Sequence, residues 1–295
     1  MAAATRWPVI LKRALIVYTP VAVLVFITLF PFYWMVITAF KTNSDLNDRI
    51  SNPFIIQHFT LEHFEWLFVK TRYIDWMQNT LIISIVSTML SLLISVMAGY
   101  ALGRLRFRGA NWIGWLIFIT YLVPPTLLFL PLAEIVNNID TFLSDIGSNI
   151  RLFNSRLGLI LLYPTFLVPF GTWLLIGYFK SIPRELEESA LVDGATRWQA
   201  MTQIVVPLAL PGLLSVGIFS FTLSWNEFIY ALIFTTDITT KTIPVGVISE
   251  LIRGDVFFWG ELMAGSLLGS IPVAIIYSFF VEYFVSGLTA GAVKG

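Results

Sequence analysis

The sequence predicts an all-α polytopic membrane protein with six transmembrane helices, and three observations carry that expectation. Of 295 residues, 57% are hydrophobic and only 12% are charged, whereas a soluble domain carries about a quarter charged residues. Mean hydropathy is +0.81. The apolar residues collect into six stretches, each long enough for the ~20 residues that a hydrocarbon core demands. Net charge is zero, which argues against nucleic acid as a partner, and the lack of cysteine excludes a disulfide framework or a thiolate metal site.

Taken in order, the first stretch, 14–40, follows Arg6, Lys12 and Arg13. Its apolar run is far longer than the roughly 7–15 residues of a secretory signal core, so it reads as a retained span. The loop 41–78 is rich in aromatic and turn-forming residues and is expected to hold a short interfacial or extracytoplasmic helix. His58 and His63, the two histidines of the chain, fall there and read as surface residues of an ordered loop, since one pair without supporting ligands makes no metal site. Spans 79–103 and 111–133 are joined by a link bearing Arg104, Arg106 and Arg108. Span 157–178 leads into the polar interval 181–207, and spans 210–234 and 261–284 complete a single transmembrane domain over 1–295. Prolines recur inside these spans, among them Pro31, Pro124, Pro125, Pro169 and Pro272. As a set they favour bent helices around an internal pathway over a straight bundle.

Orientation follows from charge. Arg6, Lys12, Arg13, Arg104, Arg106, Arg108, Lys180, Arg184, Arg197 and Lys294 place ten basic residues on one side, against four acidic ones there, Glu185, Glu187, Glu188 and Asp193. The positive-inside rule makes that side cytoplasmic, and with it both termini and the interval 181–207. Loops 41–78, 134–156 and 235–260 then lie outside.

The polar interval reads as two short helices. Pro183 suits a first helical turn, and Glu185, Glu187 and Glu188 follow where the helix dipole favours negative charge. Asp193-Gly194 is a turn dipeptide that should stop this helix. Thr196 and Gln199 match a capping box that starts a second helix ending near Pro207, with Trp198, Met201 or Thr202, and Val205 on one face.

Glu188-Ser189-Ala190, with Gly194 at the sixth position after the glutamate and Ile204, Val206 and Pro207 beyond, resembles the EAA signature of permease subunits of bacterial ABC importers. Ser189 replaces the first alanine and Val206 the leucine. Three further stretches resemble the carbohydrate branch of that family, the maltose and glycerol-phosphate type: AGYALGRLRFRGA at 98–110, SWNEFIYAL at 224–232 followed by KTIPVGV at 241–247, and SGLTAGAVKG at 286–295. The last is similar to the tail of the smaller permease of a maltose-type importer.

The resemblance implies a type I ABC importer permease fold in a bacterial inner membrane, surrounded by lipid. It also implies partners: a second, different permease, two copies of an ABC ATPase, and an extracytoplasmic sugar-binding protein that delivers the sugar. Contact with the ATPase would fall to Glu187, Glu188, Ser189, Ala190, Asp193, Gly194 and Ala195. Glu188 would meet a basic or donor group, and Ala190 and Gly194 would permit close approach. Thr289, Gly291 and Lys294, in a tail thinned by small residues, would reach the same interface. The sequence agrees on one point: it contains no Walker A pattern, so ATP and magnesium belong to the partner ATPase, and this chain is a transport subunit without a cofactor of its own.

One acidic residue, Glu227, is placed well inside a span. Counted from Pro211, Asn226 and Glu227 lie ~22–24 Å along a helix. A carboxylate in lipid costs on the order of 3 kcal/mol, so Glu227 should face the bundle, a partner helix or water. Two readings stand. With Trp225 and Tyr230 it forms a wall or outer gate of a sugar path, or it is an interfacial anchor with a structural inter-subunit hydrogen bond. A secondary transporter or channel, the alternative class, needs intramembrane charge pairs or inverted repeats, and neither is evident.

Overall fold

A computed structural model describes residues 14–48, 50 and 52–290, with side chains through residue 280. Arg6, Lys12 and Arg13 at one end and Gly291 and Lys294 at the other lie outside the described residues. In chain order the helices are α1 (Ala14–Ala39), α2 (Asn43–Asn47), α3 (Glu62–Lys70), α4 (Tyr73–Arg104), α5 (Ala110–Leu122), α6 (Pro125–Asp145) and α7 (Arg156–Ser181). There follow α8 (Arg184–Val192), α9 (Arg197–Leu208), α10 (Leu210–Trp225), α11 (Ile229–Phe234), α12 (Ile243–Leu251) and α13 (Trp259–Ala290). A small antiparallel hairpin, β1 (Ile252–Arg253) and β2 (Val256–Phe257), separates the last two. Among the described residues, five helices are long and apolar enough to cross a membrane, or six if α9 and α10, bent by 76°, count as one.

Two expected spans are interrupted, each for a local reason. The stretch 111–133 is split at Val123-Pro124. Pro124 has no N–H for the helix ladder, Val123 is forced extended (ψ 120), and Pro125 starts α6 afresh. Helix α6 then continues to Asp145, through residues expected to lie in an outer loop. Asp140 on it accepts the backbone N–H groups of Leu152 (2.7 Å) and Phe153 (2.8 Å). The stretch 210–234 is interrupted after Trp225, where α10 ends and a new helix begins at Ile229.

Packing divides the chain into two compact units: residues up to Thr71 with Val247–Ser270, and Arg72–Gly246 with the residues from Ile271 onward. In the first unit the expected loop helix is α3, which buries His63 and Leu67. His63 is therefore no surface residue, contrary to expectation. Its Nε2 donates to the Lys41 carbonyl at 2.7 Å, its Nδ1 lies 3.2 Å from Glu261 Oε1, and its ring rests on Gly260, where a Cβ would come within 2.2 Å. A histidine in the sequence of an aqueous loop gives no sign that a glycine from a distant helix will cover it. His58 stays exposed and pairs with Asp45 at 3.0 Å, which lowers the Asp45 pKa.

The second unit is organised around α4. Its buried face carries Thr80, Ser84, Ser87, Ser91, Ser95, Gly99 and Gly103, a four-residue rhythm of small residues. Small side chains let helix backbones approach closely. A Cβ on Gly99 would sit 3.0 Å from Leu175 Cβ, and one on Gly171 would sit 2.7 Å from Ser95 Oγ, so α4 and α7 touch nearly backbone to backbone. At the N-terminal end of α4 the loop 235–242 is pinned to it. Asn79 donates to the carbonyls of Thr239 and Lys241, both at 2.8 Å, and Trp76 Nε1 donates to that of Ile238.

Candidate functional site

The interval between α7 and α10 forms by the local rules its sequence carries. Pro183 stands at the N-cap of α8, one place before the expected first turn, and Glu185 and Glu187 occupy that turn. Gly194 ends the helix with φ +91, a conformation that costs a residue with a Cβ. The Ala195 N–H then donates to the Ala190 carbonyl at 2.9 Å. The capping box is present: Thr196 Oγ1 accepts from the Gln199 N–H at 3.2 Å, and Gln199 Oε1 accepts from the Thr196 N–H at 2.8 Å. The second helix passes through a π stretch, Met201–Val205, and continues past Pro207 to Leu208.

One side of this two-helix loop is fastened down. Ala200, Met201, Val205 and Ala209 are buried, and the last three pack with Tyr100, Leu175, Phe179 and Val216. Trp198, expected on the same face, is 60% exposed. The polar fastening centres on Arg104, the last residue of α4. Its Nε donates to Glu187 Oε2 at 2.8 Å, and Nη1 donates to the carbonyls of Phe179 (3.1 Å) and Ile182 (2.7 Å). Nη2 reaches the Pro183 carbonyl at 3.3 Å, and the Tyr100 hydroxyl donates to Glu187 Oε1 at 2.6 Å. The guanidinium thus satisfies carbonyls left over where α7 ends, at the negative end of its dipole, and neutralises a buried carboxylate.

Of the seven residues expected to meet an ATPase, Glu187 is turned inward. Its side chain is 9% exposed. Glu188, Ser189, Asp193 and Gly194 are exposed, and Ala190 and Ala195 are half-buried. Around them Leu186, Val192 and Trp198 present uncovered apolar surface, Val192 at 86% exposure. Adjacent glutamates therefore divide the work: Glu187 holds the loop and Glu188 is free to meet something else. Sequence reasoning missed Arg104 and Tyr100 as the other half of the fastening. The signal in the sequence was an arginine placed directly at the end of a long apolar run.

The four residues considered for a substrate path are placed differently. Trp225 is 3% exposed and Tyr230 is fully buried, the latter packed against Phe166 and Phe234. Glu227 caps α11: Oε1 accepts from the Tyr230 N–H at 2.8 Å, and Oε2 accepts from the Ala231 N–H at 3.0 Å and the Tyr163 hydroxyl at 2.9 Å. Asn226 alone is exposed, with Nδ2 donating to the Thr222 carbonyl at 2.9 Å. These partners of Glu227 all belong to this same chain rather than to another subunit. In the tail, the backbone of Thr289 belongs to α13, and Gly291 and Lys294 lie outside the described residues. No group of three potential metal-ligating side chains occurs among the described residues.

Comparison with known proteins adds the following. The family described as binding-protein-dependent transport system inner membrane component matches residues 91–290. The inner membrane ABC transporter permease protein YcjP of Escherichia coli (strain K12) is 35% identical over 282 residues, 94% of this chain and 95% of that protein. The trehalose/maltose transport system permease protein MalG of Thermococcus litoralis is 32% identical over 289 residues, covering 97% and 98%. In structure, the chain is similar to a subunit of a bacterial ABC transporter involved in the import of the acidic polysaccharide alginate. The TM-score is 0.75 at 19% identity, over 96% of this chain and 99% of that one.

Proposed function

The chain belongs to the binding-protein-dependent transport system inner membrane components, and from that membership we propose that it forms one membrane half of an ATP-driven sugar importer. It is a multi-pass transport subunit rather than the ATPase of its system. Its complement is a second, different permease, two ATPase subunits that bind ATP and magnesium, and an extracytoplasmic sugar-binding protein, assembled in a bacterial cytoplasmic membrane. Residues 181–207 and both termini face the cytoplasm in this reading.

The observation that carries it is the division of the α8–α9 loop into a fastened side and an uncovered side. Arg104 and Glu187 make the loop a rigid extension of α4 and α7, and rigid elements transmit motion as bodies. Glu188, Ala190, Asp193, Gly194 and the exposed Leu186, Val192 and Trp198 form the surface that seats on the ATPase. Closure of the ATPase pair pulls on this surface, and the attached helices swing to open the pathway to the other side. Thr289, Gly291 and Lys294 add a second contact from the tail. Sugar as cargo is supported by the relatives' names and by the three stretches that resemble carbohydrate permeases. The test is uptake of labelled sugar into vesicles holding the assembled complex. Uptake should require both ATP and the binding protein, and uptake that persists without ATP would return the chain to the secondary-transporter class.

A further inference from the structure

Beside the Arg104–Glu187 fastening lies a cavity of about 230 Å³, lined by Arg104, Arg106, Arg184, Glu187, Glu188, Leu191 and Arg197. Arg104 and Glu187 neutralise each other. Arg106, Arg184 and Arg197 form no ion pair with any described residue, and Arg197 lies near enough for its charge to act on Tyr100. Glu188 offsets one of the three, so the cavity holds an excess of two positive charges. Three exposed guanidinium groups lining one space repel each other, an anion with several acceptor oxygens among them would relieve that repulsion, and phosphate geometry matches their forked donors.

The position selects the source. Arg106 is the second residue after the long apolar helix α4, and Phe107, Trp112 and Trp115 beyond it in sequence are exposed. Aromatic and arginine side chains at the end of a span mark the headgroup layer, and basic pockets among span ends on the cytoplasmic side suit phosphate-bearing headgroups. On α8, Arg184, Glu187, Glu188 and Leu191 share one face at helical spacing, whereas Leu186 lies on the opposite one. Leu186, Val192 and Trp198 therefore lie off the cavity, and Glu188, which lines it, is the one residue that it shares with the surface assigned to the ATPase.

We propose that this cavity binds a phosphate group, that of an anionic phospholipid headgroup, and ties the loop to the membrane surface. The cytoplasmic placement rests on the orientation given above. Lipid occupancy, however, is read without ATP or sugar, so it stands or fails independently of transport.

The test uses the complete complex, reconstituted in phosphatidylcholine vesicles with or without phosphatidylglycerol, then extracted in mild detergent and weighed intact by mass spectrometry. Wild type should retain phosphatidylglycerol. The combined variant Arg106→Gln, Arg184→Gln and Arg197→Gln should lower its apparent affinity on the order of a hundredfold, and each single change should lower it by a smaller step. Arg253→Gln, an exposed arginine elsewhere, serves as the control. Inorganic phosphate added before extraction separates the sources. Lipid retained by wild type but not by the combined variant assigns the headgroup, and a wild type that retains no lipid yet binds inorganic phosphate gives the site to a free phosphate and overturns the proposal. Equal lipid retention by wild type and an assembled combined variant overturns the proposal. Loss of the ATPase subunits with lipid retained also overturns it, and gives the arginines to the ATPase.

Discussion

Glu187 and Glu227 are held by different means, and the means decide what each region does. Glu187, at the start of the α8–α9 loop, meets the permanent charge of Arg104 and the hydroxyl of Tyr100. Glu227, at the break between α10 and α11, takes two backbone N–H groups and one hydroxyl, all neutral donors. In the loop, one glutamate is spent on holding and its neighbour Glu188 is left at the surface. In the break, the sole carboxylate holds the start of α11.

The comparison breaks most visibly at Arg104. Arg104→Leu leaves Glu187 buried without its cation and strands the carbonyls of Phe179 and Ile182, an expected loss of about 3–5 kcal/mol. Denaturant unfolding of the purified protein measures it, and adding Glu187→Leu should recover much of the loss. A loss for the single variant no larger than a surface substitution gives would remove the fastening from the account.

Glu227→Leu should cost less, about 2–3 kcal/mol, by uncapping α11 and leaving the buried Tyr163 hydroxyl without an acceptor. Glu227→Gln keeps one acceptor oxygen and should cost about 1 kcal/mol. If Glu227→Gln folds and assembles normally yet abolishes transport, the pathway reading of the break returns.

The third buried carboxylate pairing sharpens the contrast, because its cation is titratable. Burial disfavours a charge on His63, but the Glu261 carboxylate and the Lys41 carbonyl outweigh it and raise its pKa above the ordinary 6.5. The carbonyl accepts only, so Nε2 carries a proton, and Nδ1 faces a carboxylate, so it is favoured protonated as well. A raised folded pKa stabilises fully below the unfolded value and fades as pH rises through the folded one. Unfolding followed against pH should therefore show stability falling on the alkaline side of pH 6.5, and His63→Gln should abolish that dependence.

Much of this was legible in the sequence where rules are local. The turn at Gly194, the capping box of Thr196 and Gln199, and the apolar α1, α4 and α7 all follow from neighbours within a few residues. What was not legible depends on distant partners. Glu187 could be told from Glu188 only by Arg104, some eighty residues earlier, and His63 was hidden by Gly260 and Glu261. Glu227 looked like an intramembrane acid because hydropathy runs on to Phe234, and it does not register that the backbone needs a cap there. The serine and glycine rhythm of α4 was available to periodicity alone and marks its close packing on α7.

Glu188→Lys carries the smallest effect on the fold and the largest on function. Exposed as it is, the substitution should alter stability by no more than about 0.5 kcal/mol. The decisive measurement is ATP-driven, binding-protein-dependent sugar uptake by vesicles containing the assembled Glu188→Lys complex, with ATP hydrolysis recorded in parallel. The account predicts that uptake collapses while assembly persists and hydrolysis no longer responds to sugar. Wild-type uptake with sugar-stimulated hydrolysis would contradict it.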